Sequence, residues 1–138
     1  MWSRIGLPIQ VSVIVLTLTV PVVWARSKAR SEGADPAYVS ALAAADKFLQ
    51  AWQARDEEAG VMLLSDRLRQ HTNEEVVRRW FAASGEQGFE VSSGKKLGAG
   101  RYQFAVELWT ADGRRTHRRT GMVVLVSAGG EWLVEKMP

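Results

Sequence analysis

Cysteine is missing from all 138 residues. Disulfides, thiolate metal sites, a cysteine nucleophile and the lipidated cysteine of a bacterial lipoprotein are therefore excluded. The compartment stays open, because an exported domain of this size needs no covalent staple. Histidine is almost as scarce: only His71 and His117 occur. Without cysteine or a clustered set of ligands they give no recognisable zinc site. No metal and no cofactor is expected. The chain also lacks a Walker motif, a Rossmann glycine fingerprint, a G-x-S-x-G elbow and any internal repeat.

Acidic residues are missing from the first 30 positions, and this skews the overall charge. The formal net charge is +3, yet four of the 18 Lys and Arg residues lie in that leader. Residues 31–138 keep 14 basic side chains against 15 acidic ones, so the remainder is close to neutral. A nucleic-acid-binding domain carries its own basic footprint. The overall balance here supplies none, and nucleic acid is not an expected partner.

Charge of either sign is absent from Ile5 to Trp24, IGLPIQVSVIVLTLTVPVVW. About 20 apolar residues are enough to span a bilayer core as a helix. Ile5, Leu7, Val11, Val15, Leu18 and Val22 supply the apolar surface, with Trp2 and Trp24 as interfacial brackets. A signal peptide is the competing reading. Arg4 gives a basic start, and Val23-Trp24-Ala25 offers a cleavage site. The length favours a single-pass anchor over residues 1–25, and the signal-like features favour an exported domain. Secretion after cleavage near Ala25 is the alternative. Arg4 and the amino terminus nearly balance Arg26, Lys28 and Arg30, so charge alone does not fix the topology. Residues 26–36 read as a linker of small, polar and charged side chains.

Asp35-Pro36 marks a helix start, with Asp as N-cap and Pro in the first turn. Tyr38, Ala41, Leu42, Ala45, Phe48, Leu49 and Trp52 then recur at steps of three and four, which predicts an amphipathic helix of about 18 residues. A second, shorter helix is expected from Asp56, with Val61, Leu64 and Leu68 on its apolar side. Thr72-Asn73-Glu74-Glu75 matches a capping box with Thr72 as cap. The helix it opens should bury Val76, Val77, Trp80 and Phe81 and end near Gly85.

Beyond Gly88 the apolar period becomes two. Residues 89–97 give a first strand. Tyr102, Phe104, Val106 and Leu108 alternate with polar or small residues, as in a strand with one buried face. Asp112-Gly113 signals a hairpin turn. The nearly continuous apolar run Thr120 to Val126 reads as a central strand, and Glu131 to Met137 closes the sheet. Helices followed by an antiparallel meander make an α+β fold.

An opening helix carrying FLQAW, then DEEAGVMLLS, a further helix, and strands ending in GGEWLVEKMP resemble the nuclear transport factor 2-like superfamily. The resemblance covers residues 37–138. It implies a cystatin-like cone, in which a curved sheet wraps a long N-terminal helix. It also implies a spread of functions: isomerases, cyclases and dehydratases that use a carboxylate or His in the cone, and catalytically silent members, including membrane-anchored bacterial domains.

Under the enzymatic reading the candidate bases are Asp46, Asp66, His71, Glu107 and His117, with Tyr102 as oxyanion donor. Asp46 borders the apolar stripe of the first helix. Glu107 points outward if the Tyr102–Leu108 face is the core. No pair among them has a spacing that requires the two to meet. Trp52, Trp80 and Trp132 lie on apolar faces and are expected in the core. Gly113 to Gly121, GRRTHRRTG, is the most unusual stretch. Arg114, Arg115, Arg118 and Arg119, with His117, would contact an anion such as a lipid headgroup, a phosphate or an acidic partner. The reading reached from sequence is a membrane-tethered, non-enzymatic binding or assembly domain. It would use the cone mouth or the sheet face, the latter for a protein partner or a second copy. An isomerase-type enzyme or a small-molecule-binding module is the alternative.

Overall fold

The computed structural model describes residues 35–138; the predicted apolar span and nearly all of the linker lie outside them. Among the described residues no helix is long and apolar enough to cross a membrane.

Helix α1 runs Pro36–Gln53, 18 residues, with Asp35 as N-cap and Pro36 in its first turn. Ala41, Ala45, Phe48, Leu49 and Trp52 are buried along one side, as their spacing predicts. Arg55 ends it in a left-handed conformation, φ 56°. The Arg55 side chain donates to the carbonyls of Ala83 and Gly85, 2.9 Å to the first, and so ties the end of α1 to a distant loop.

The predicted second helix is two. Helix α2 spans Glu57–Met62, capped by Asp56, and α3 spans Asp66–His71, capped by Ser65. Between them Leu63 turns the chain and Leu64-Ser65 runs beside the last strand. Val134 N donates to Leu63 O at 2.7 Å, and Ser65 N donates to Val134 O at 2.8 Å. These two backbone bonds replace the helical ones that a continuous helix would have made. Helix α4, Glu74–Phe81, also departs from expectation. Asn73, not Thr72, is its N-cap, and Thr72 instead closes α3. The helix stops at Phe81, and Val76 is half exposed rather than buried.

Four strands follow: β1 Glu86–Gly98, β2 Arg101–Asp112, β3 Arg115–Ala128 and β4 Glu131–Lys136. They pair antiparallel in the order β1-β2-β3-β4, so β3 is internal. The long β2–β3 ribbon keeps register from Arg101↔Val126 to Asp112↔Arg115, with no irregularity. Strand β1 carries irregularities between Val91 and Ser93 and between Lys96 and Gly98, the devices by which a strand bends.

The sheet curls around α1. Tyr102, Phe104, Val106 and Leu108 on β2, with Val123 and Leu125 on β3 and Val134 on β4, face the helix. Two aromatic groups plug the ends of this interior. Tyr38, Tyr102 and Phe104 meet near the start of α1. Phe48 stacks on Trp80 at 5.1 Å near its end, with Phe81 edge-on to both. At Gly60 an added Cβ would lie 2.0 Å from the Phe81 ring, so α2 approaches α4 closely only without a side chain there.

Candidate functional site

In an antiparallel pair, opposite residues share a face. Leu108 opposes Arg119 and Thr110 opposes His117, so Arg119 and His117 belong to the inner, helix-facing side of the ribbon. Trp109 opposes Arg118 on the outer side, where Arg118 pairs with Glu107 at 2.8 Å. Trp109 lies over Gly88, at which a Cβ would come within 2.3 Å of the indole.

On α4 the residues Val76, Arg79 and Trp80 fall at helical spacing and, with Ala83 just past the helix end, face the ribbon. Between them and the ribbon an open groove of about 440 Å³ runs along the mouth of the cone. Trp80 and Val76, over the buried Trp52 and Leu108, supply its apolar surface, and Arg79, His117, Arg118 and Arg119 its charged and polar lining. No acidic residue lines it. Arg119 has no ion-pair partner among the described residues, and Arg79 reaches only Glu75, at 3.9 Å. Trp80 Nε1 is buried without an acceptor, and so are both polar atoms of the Gln87 amide, on the strand position opposite Thr110.

The catalytic candidates do not converge here. Asp46 accepts from Gln50 on the surface of α1, 2.8 Å away. His71 is exposed at the end of α3, its Nδ1 2.8 Å from Arg67 O. Asp66 is exposed and paired with Arg69. Glu107 faces outward, as expected when the Tyr102–Leu108 face is the core. The Tyr102 hydroxyl donates to Asp35 Oδ2 at 2.7 Å. That bond holds the Asp35 carboxyl below its ordinary pKa and pushes the Tyr102 hydroxyl above its own. Tyr102 therefore anchors the cap of α1. Among the described residues no group of three or more acids and histidines is placed to hold a metal ion.

Of the four arginines singled out from sequence, Arg119 lies on the groove side of the ribbon; Arg118 borders the groove but pairs with Glu107 on the outer side, and Arg114 and Arg115 lie at the exposed turn beyond it. Sequence reasoning missed Arg79. Its signal was the spacing that joins it to Val76, Trp80 and Ala83, a mixed rather than apolar face. Trp52 is buried as expected, while Trp80 and Trp132 are only half buried.

A meander curled around one long helix, with three short helices at one end, recurs in solved structures. A designed NTF2 protein superposes with a TM-score of 0.54 at 18% identity, covering 65% of this chain and 87% of its own. The fold is nuclear transport factor 2-like. An NTF2-like protein of unknown function from Shewanella oneidensis aligns at 0.50 and 11% identity, covering 70% of this chain and 92% of its own. A SEC-C motif containing protein from Rhodopseudomonas palustris gives 0.51 and 16% identity, covering 64% and 69%. No family model matches the chain, and neither does any curated protein. At these identities the likeness concerns the fold alone.

Proposed function

We propose that this chain is a membrane-tethered, non-enzymatic binding domain whose working surface is the mouth of the cone. One observation carries the reading. The interior that an enzyme of this fold would use is filled by Phe48, Trp52, Phe81, Phe104 and their neighbours, while an open groove lies at its rim. Buried aromatic surface is the main source of stability in so small a core, and each ring there removes space for a substrate. The groove has the size usual for small-molecule sites, roughly 300–1,000 Å³. The uncharged run from Ile5 to Trp24 supports the tether.

Native mass spectrometry of the full chain released from its own cell membranes tests both parts. Wild type should carry a bound species, and Val76→Trp, which fills the groove from an exposed helix position, should lose it. Chains equally bare in both forms would remove the binding reading. Release of the chain by alkaline carbonate, without detergent, would remove the tether.

A further inference from the structure

We infer that the mouth groove receives a compact amphipathic organic anion, an aryl or short alkyl carboxylate. This rests on the binding reading above and names the ligand class. The groove joins two unlike chemistries. Trp80 and Val76, backed by the buried Trp52 and Leu108, offer an apolar bed, and Arg79 and Arg119 add guanidinium groups to the same lining. No carboxylate lines the groove, and Arg119 has no ion-pair partner among the described residues, so a bound anion would meet its uncompensated positive charge. Guanidinium groups present paired N–H donors that match the two oxygens of a carboxylate.

The apolar bed argues against inorganic phosphate, which would leave Val76 and Trp80 uncovered. A flat ring suits the bed, whose Trp80 indole already stacks on Phe48 at 5.1 Å. The Trp80 Nε1 donor, buried beside the bed without an acceptor, adds a polar group that a small rearrangement would bring to a ligand oxygen.

The test uses the full chain in phosphatidylcholine nanodiscs, with empty nanodiscs as the blank. Isothermal titration with 2-naphthoate should give saturable binding. The uncharged 2-naphthamide, the same ring with no charge, should bind about tenfold more weakly, as expected for the loss of a charged hydrogen bond. Arg119→Gln should weaken 2-naphthoate by a similar factor while leaving the amide unchanged, and Arg79→Gln should do so to a smaller extent. Inorganic phosphate should fail to compete. Equal binding of acid and amide, or no effect of either arginine, would overturn the anion assignment. Competition by phosphate alone would overturn the amphipathic one. Absence of naphthoate binding would overturn the inference as a whole. If a species blocked by Val76→Trp is still retained from cells and proves uncharged, the binding reading survives and only the ligand class falls.

Discussion

Asp35 and Tyr102 are 67 positions apart in the chain and 2.7 Å apart at their oxygens. The local sequence marks Asp35 as a cap, and nothing local marks the tyrosine that holds it. The pairing has a pH signature with two limbs. Asp35 is more acidic when folded, so its contribution is present above the ordinary carboxylate pKa of about 4 and is lost as pH falls through the lowered value. Tyr102 is less acidic when folded, so its contribution is present below about pH 10 and is lost as pH rises through the raised value. Tyr102→Phe should flatten both limbs in a pH series of urea unfolding. Unchanged limbs would show that the bond does not persist in solution. Gly60→Ala makes the opposite kind of change, adding one methyl against the Phe81 ring. It should cost about 1–3 kcal/mol, the range for overpacking, measured as a fall in the urea midpoint.

At the scale of elements, period and turn chemistry were legible and chain breaks were less so. The steps of three and four from Tyr38 to Trp52 predict α1 with its buried side. Tyr102 to Leu108 and Asp112-Gly113 predict β2 and its turn into β3. The break at Leu63-Leu64-Ser65 was not legible, because its cause is a backbone pairing with Val134, remote in sequence. The cap of α4 was ambiguous for a different reason. Thr72 and Asn73 can both cap, and the last turn of α3 claims Thr72 through its backbone bond to Leu68 O at 3.0 Å. Asn73→Ala should therefore cost about 1 kcal/mol in chemical denaturation, and Thr72→Ala clearly less. The reverse order would restore the capping box.

Across the whole molecule, α1 and the sheet share one aromatic core, and Trp52 is its largest fully buried side chain. Its Nε1 donates to Trp80 O at 3.1 Å, so Trp52→Ala removes a bond as well as a large ring. A loss of about 3–5 kcal/mol is expected. A loss below about 0.5 kcal/mol would place Trp52 outside the core. The arginine-rich end of the β2–β3 ribbon was legible as composition, but its division between groove and solvent needed the register. With Arg114, Arg115, Arg118 and Arg119 all changed to Gln, co-sedimentation with anionic vesicles should fall, by about 1 kcal/mol for each arginine near the surface. Unchanged partitioning would remove the headgroup contact.

The bends in β1 have a further consequence. Strand β1 stands at the margin of the sheet, and among the described residues no strand pairs with its other side. A flat, apolar border of that length would template stacking of one molecule on the next. The two irregularities twist it out of line, and Lys95 and Lys96 set like charges against an approaching copy. The same distortions that curve the wall of the cone therefore keep crowded copies from zipping into fibrils.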